Sequence, residues 1–509
     1  MRKKQIIAAA AASGAYAQLQ GPSSSQTAHV NPTAPGWSSL SLITVGDAAD
    51  NGYKMVGIPD GLGAYDNGNG TFSVLMNHEL GVTAGIARAH GTTGAFVSEW
   101  VIRKSDFRVL SGSDLITRAK LWYADGNQFV DATTSFARFC SADLPLVSAF
   151  HNGSSGKGTL ERIYMTGEET GAGGRAFGVV ATGANKGTAW ELPHLGNFSW
   201  ENSVANPFSG DKTVVVGTDD STPGQVYLYV GDKRAAGSEV ERAGLVGGKL
   251  FGLKVTDGGA NYGGAAVALE NNGAINGKFV SALKFNDGNA ASRSGADLQA
   301  DSVAKGITEF ARPEDGAWSL DGKTFYFVTT GATVAGQRQS SKLYRLDFNG
   351  NYSAGDIKLV IDSSSMTGTD GELARSFDNM TVADDGTVVI QEDPGGNNYI
   401  AKTWIVDPAT GKFVQVLESD RERFLSGAPK FLTVDEESSG VIEITSVLDK
   451  KDGKRYFLGD MQAHYANGTE LVEGGQLYIT AVPEPETYAL MLSGLGLVGF
   501  IARRRRARG

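Results

Sequence analysis

A glycine-containing turn, a short apolar β-run and then a polar or acidic cluster recur six times along the chain, and no other feature restricts its fold as much. Residues 69–76 lead into Asn77-His78-Glu79, and residues 160–166 into Gly167-Glu168-Glu169. Residues 211–216 lead into Gly217-Thr218-Asp219-Asp220, and residues 321–328 into Thr329-Thr330. Residues 385–390 lead into Gln391-Glu392-Asp393, and residues 452–458 into Gly459-Asp460. The spacing is irregular, as insertions between strands would make it. Residues 225–230 and 341–346 alternate in the way of outer strands of a sheet. Six sheets set radially make an all-β fold, a six-bladed β-propeller with loop insertions. Equivalent strand ends then share one face, so five of the six copies bring carboxylates to one mouth. Like charges at that distance repel unless a proton or cation intervenes. The Asp-Gly turns themselves carry no functional weight, being ordinary hairpin chemistry.

Composition supports this reading and narrows the function. The 509 residues include 68 Gly and one Cys, with short β-type runs between Gly, Asp and Asn turns. The chain carries 46 basic and 56 acidic residues. Three of the basic residues lie in 1–17, and five Arg with two Glu lie in 483–509, which leaves a body of net charge −16. That excludes a nucleic-acid footprint, which needs a basic surface. The six His are scattered, so no zinc pattern appears. Nothing resembles a phosphate-binding loop, a GxSxG elbow or a CxxC pair.

The two ends read as addresses. Arg2-Lys3-Lys4, a short Ala-rich run and Ala15-Tyr16-Ala17 describe a signal peptide over 1–17, cleaved after Ala17. Residues 18–40, rich in Ser, Pro, Gln and Thr, read as a flexible leader, with the propeller over 41–480. At the other end, Pro483-Glu484-Pro485 precedes an apolar run over 487–502 and then Arg503, Arg504, Arg505, Arg506 and Arg508. This predicts a C-terminal hydrophobic helix, held with its Arg end cytoplasmic. The order of elements over 481–509 resembles the PEP-CTERM sorting signal of Gram-negative bacteria. The resemblance implies recognition and cutting by an exosortase, and transient membrane anchoring before the cut. The expected location is exported: periplasm, cell surface or extracellular.

Four segments carry candidate chemistry. Glu79 ends Asn77-His78-Glu79, an arrangement of hard oxygen ligands. Glu201 follows Ser199-Trp200. In Arg312-Pro313-Glu314 the outer residues are two apart on an extended chain and point to one side, an Arg fork for a phosphoryl group beside a carboxylate for a metal. Asp378 stands in Ser376-Phe377-Asp378-Asn379-Met380.

Taken in order, these blocks with Cys140-Ser141, Thr166-Gly167-Glu168-Glu169, Phe198-Ser199-Trp200-Glu201 and Thr218-Asp219-Asp220 resemble the PhoX-type alkaline phosphatases over roughly residues 45–475. That family is a six-bladed propeller with a mixed iron and calcium site. The resemblance implies Cys140 as a thiolate ligand of Fe3+. It makes Glu168, Glu201 and Glu314 iron or calcium ligands, and Glu79 and Asp378 further Ca2+ ligands. Asp219 and Asp220 join the metal set through the matching acidic pair, and Arg312 clamps the phosphate. The implied function is hydrolysis of phosphate esters. This sequence departs from the family at Trp200, where the family has His, at Phe139 before the Cys, and in the segment after Cys140. Two other readings therefore stand beside the phosphatase. One is a non-catalytic calcium-binding propeller in envelope or exopolysaccharide interactions. The other is a propeller hydrolase acting on another ester, such as a lactone or phytate.

Overall fold

The computed structural model describes residues 17–256, 275–284, 290–334 and 337–483. The expected signal peptide and C-terminal hydrophobic helix lie outside the described residues. Among the described residues no helix is long and apolar enough to cross a membrane.

The described chain is mostly β-strand, organised as antiparallel ladders of four. The first ladder runs Pro59–Asp66, Thr71–His78, Phe96–Arg103 and Val109–Asp114. The second runs Phe139–Asp143, Ile163–Glu168, Ala176–Val180 and Thr188–Glu191. A hairpin of Arg118–Tyr123 and Gln128–Ala132 extends its outer edge. The third runs Trp200–Ala205, Lys212–Asp219, Gly224–Asp232 and Lys249–Val255. The fourth runs Pro313–Trp318, Thr324–Thr329, Lys342–Phe348 and Ala354–Asp362. Strand Gly277–Lys284 joins the outer edges of the third and fourth into one sheet. The fifth runs Phe377–Val382, Val388–Glu392, Lys402–Asp407 and Lys412–Ser419. The sixth runs Glu436–Glu443, Lys454–Ala463 and Gly474–Pro483, and is completed by Ser38–Thr44 from the start of the chain.

The six repeated runs of the sequence are the second strands of these ladders. Their turns are local chemistry and their apolar residues are buried on both faces, which makes them near-continuous hydrophobic runs. The innermost strands touch one another in sequence from the first ladder to the sixth and back to the first, so the ladders stand in a closed ring. The hydrophobic core is divided between ladders. Trp200 lies in the cluster between the second and third, Trp404 between the fourth and fifth, and Trp100 between the sixth and first.

The leader departs from expectation. Residues 18–40 are folded, not flexible. Val30–Pro32 pairs with Lys412–Ser419 at the edge of the fifth ladder, and Ala17–Gln20 runs parallel to Ser38–Thr44 at the edge of the sixth. Ala28, Val30 and Trp37 are buried, and Trp37 stacks on Phe457 at 5.7 Å. The polar residues belong to edge strands, where side chains on one face meet water and backbone pairing supplies the order. Trp37→Ala is expected to destabilise the fold by about 3–5 kcal/mol, as for other buried aromatics. Denaturant unfolding of the variant measures this. An unchanged midpoint would return the segment to a loose leader.

Candidate metal centre

Every inner strand enters the ring at the same level and is irregular there. Its pairing with the second strand slips between Asp60 and Leu62, Phe139 and Ala142, Trp200 and Asn202, Pro313 and Gly316, Phe377 and Met380, and Glu437 and Gly440. Such bulges re-aim a side chain out of the alternating pattern. Asp60, Cys140, Glu201, Glu314, Asp378 and Glu437 sit in or at the edge of these bulges. Four of the strands are also entered through a left-handed residue two positions earlier: Ile58, Arg138, Arg312 and Ser376 have φ of 51°, 45°, 60° and 52°. Non-glycine residues hold that conformation only where their surroundings over-determine it.

Two groups of ligand atoms result. Asp60, Glu79 and Cys140 offer atoms within 4.8 Å of one another, and so do Glu201, Glu314 and Asp378; all six residues are buried. Cys140 Sγ lies 3.5 Å from Asp60 Oδ2. Gln462 Nε2 donates to Asp60 Oδ2 at 3.0 Å and to Glu79 Oε2 at 2.9 Å. In the second group, Ser141 Oγ donates to Glu201 Oε1 at 2.5 Å and accepts from Asn379 Nδ2 at 2.6 Å. The Thr330 hydroxyl donates to Glu314.

The electrostatics follow from burial. Burial, then Glu79 and Glu437, push the Asp60 carboxyl well up. Burial, then Glu314, does the same to Glu201, and burial, then Glu201, to Asp378. Burial raises Glu314 against the pull of Arg312, and raises the Cys140 thiol with help from Asp60. Cation-free, burial favours the protonated forms in both groups. Among the described residues, neither side-chain oxygen of buried Asp460 has a hydrogen-bond partner. Hard oxygens packed like this, with one sulfur among them, are a donor set that fits cations.

The expected site residues divide. Glu79 and Cys140 fall in the first group, and Glu201, Glu314 and Asp378 in the second. Arg312 forks onto Asp220, Nε to Oδ1 at 2.7 Å and Nη2 to Oδ2 at 2.8 Å, and Nη2 also lies 3.1 Å from Glu314. Asp220 is therefore placed by Arg312 at the rim. Two expected ligands are not brought in. Glu168 pairs with Arg175 through two 2.7 Å contacts, and the residue facing the mouth is its neighbour Glu169, paired with Arg138. Asp219 accepts from Ser221 Oγ at 2.9 Å and shapes its turn. The Trp200 ring stacks on Phe198 at 3.9 Å and packs over Gly167, where an added Cβ would lie 2.4 Å from its own Cβ. Its side chain belongs to the core, on the face of the strand opposite Glu201.

Sequence reasoning missed Asp60, Glu437, Arg138 and His464. The imidazole of His464 lies 2.5 Å from Glu473 and 3.8 Å from Glu437; these acids outweigh burial and push it up to about 11. For Asp60 a signal existed, since Ile58-Pro59-Asp60 repeats the x-Pro-acid order of Arg312-Pro313-Glu314.

A closed ring of antiparallel ladders with a buried acidic mouth defines an acid-lined β-propeller. The chain belongs to the alkaline phosphatase PhoX family, whose model matches residues 153–458, and the PEP-CTERM protein-sorting motif matches residues 481–506. The family match contains Glu201, Arg312, Glu314 and Asp378; Asp60, Glu79 and Cys140 lie ahead of it. Among solved structures, the chain is similar to Pseudomonas fluorescens PhoX in complex with vanadate, a transition state analogue. The identity is 12%, covering 91% of this chain and 98% of that one, with a TM-score of 0.64. A Pseudomonas aeruginosa periplasmic gluconolactonase also aligns at 12% identity, over 84% and 89% of the two chains, but its TM-score of 0.33 supports no further comparison. No curated protein matches the chain.

Proposed function

We propose that this chain is an exported phosphoesterase of the alkaline phosphatase type, working on phosphate esters at the acidic mouth of a six-bladed propeller. The observation that carries the reading is the contact of Arg312 with both Asp220 and Glu314, which sets a half-exposed guanidinium directly against the second acid group. The ring of six inner strands supports the blade count. Membership of the family and its sorting motif supports both the ester chemistry and the export.

Glu201, Glu314 and Asp378 would hold one cation, and Asp60, Glu79 and Cys140 another, with Ca2+ on the all-oxygen set and Fe3+ on the set containing the thiol. Bound there, such ions would offset the charge of a transferring phosphoryl group. The protein's own groups do the rest. Arg312 orients the phosphate as a planar fork. Ser141 and Asn379 fix the Glu201 carboxylate, and Gln462 fixes Asp60 and Glu79. The rigid inner strands keep these groups in place before substrate arrives. The C-terminal motif supports processing by an exosortase after membrane delivery.

The purified mature chain, supplied with Ca2+ and iron, is expected to hydrolyse p-nitrophenyl phosphate. Elemental analysis of protein taken from its export compartment is expected to find both metals. Calcium without iron would remove Cys140 from the ligand set. No turnover, with calcium still raising the melting temperature, would replace this reading with a calcium-binding propeller. Turnover of a lactone alone would replace it with another esterase.

A further inference from the structure

The mouth holds two arginines in matching positions, and only one has a role so far. Arg138 precedes Cys140 by two residues as Arg312 precedes Glu314 by two, and both are left-handed, at φ 45° and 60°. Each joins one acid group to a rim acid. Arg138 Nη2 lies 2.7 Å from Glu79 and also contacts Glu169, while Arg312 joins Glu314 to Asp220. The two arginine side chains are 49% and 36% exposed, whereas those of Glu79 and Glu314 are 7% and 1% exposed. Among the described residues, Nη1 of neither arginine donates a hydrogen bond.

We propose that Arg138 is a second substrate-binding arginine, donating to phosphoryl oxygens from the second ladder as Arg312 does from the fourth. This rests on the phosphoesterase reading. A non-glycine residue holds the left-handed backbone of Arg138 only where its surroundings over-determine it. Glycine or asparagine would fill the backbone position at lower cost, so the gain from an arginine lies in where its side chain goes. The backbone at Arg138 is fixed on both sides, its N–H donating to Leu80 O and its carbonyl accepting from Glu169 N, both at 2.9 Å. A cation drawing Glu79 or Glu314 toward itself would leave N–H donors of both arginines facing the mouth. Burial is outweighed by Glu79 and Glu169, which keep Arg138 charged at any working pH.

The test uses metal-loaded full-length protein with p-nitrophenyl phosphate as substrate and inorganic phosphate as inhibitor. Arg138→Ala is expected to raise KM and weaken phosphate inhibition by roughly tenfold or more, the scale of a lost hydrogen bond to a charged group. Iron and calcium content and melting temperature should hold, and Arg138→Lys should fall between. KM and inhibition equal to wild type in Arg138→Ala would overturn the proposal, most clearly if Arg312→Ala shifts both. Iron loss in both Arg138→Ala and Arg138→Lys, matched in size to the activity loss, would also overturn it and reduce Arg138 to a holder of Glu79. A wild-type protein that neither hydrolyses the ester nor binds phosphate by calorimetry would overturn this proposal and the phosphoesterase reading together.

Discussion

Glu314→Gln is expected to lower phosphate-ester turnover by on the order of a thousandfold while the protein stays folded, the scale seen when one charge-stabilising group is taken from a preorganised site. The substitution keeps shape and removes only charge. The side chain is 1% exposed and its oxygen still meets the Thr330 hydroxyl, so the ladder has no reason to move. What goes is the carboxylate that would complete a cation site with Glu201 and Asp378. Calcium content should fall with kcat. Glu168→Gln gives the contrast: it breaks the pair with Arg175 and lowers stability, but turnover in the folded fraction stays near wild type. Steady-state kinetics and metal analysis on the two variants check this. A Glu168 variant as inactive as the Glu314 one would sink the division of the acids described above.

The second large effect is a loss of stability with rising pH in the cation-free protein. Burial pushes Asp143 and Asp315 up to about 7, the first with a contribution from Asp315, and the acids of both ligand groups move in the same direction. A carboxyl whose pKa is higher in the folded chain than in the unfolded one favours the folded state below the unfolded value, near 4. That contribution disappears as pH climbs through the folded value. In chelator, the melting temperature should therefore fall between pH 5 and pH 8, by roughly 5 °C for a loss of about 5 kcal/mol in a chain of this size. Added Ca2+ should flatten the curve by replacing protons in the ligand groups. A melting temperature independent of pH in chelator would show that these acids are not buried as described.

What the sequence revealed and what it hid have physical causes. The second strands were readable because their turns are local and their runs are long and apolar. The inner strands were not, because bulges interrupt the alternation just where Asp60, Cys140 and Glu437 sit. Glu79, Glu201, Glu314, Asp378 and Arg312 came from short blocks, each ambiguous alone. Glu168 was preferred to Glu169 because a change of one residue at a strand end moves a side chain to the other face. The leader was misread because strands at a sheet edge can be polar and short, and nothing local in 18–40 announces partners hundreds of residues away. The departure at Trp200 lost its force once its ring proved to point into the core.

The pairing of Ser38 with Ala481 has a consequence for the order of events. The sixth ladder is a clasp made from both termini, so the ring cannot shut until nearly the whole chain has left the ribosome and crossed the membrane. Closing contacts this distant in sequence make a slow last step. The clasp also shares residues with the address label. The sorting motif starts at Ala481, while the closing strand runs on to Pro483. A cut beyond Pro483 would leave the closing strand whole, and a cut before Ala481 would take its last three residues.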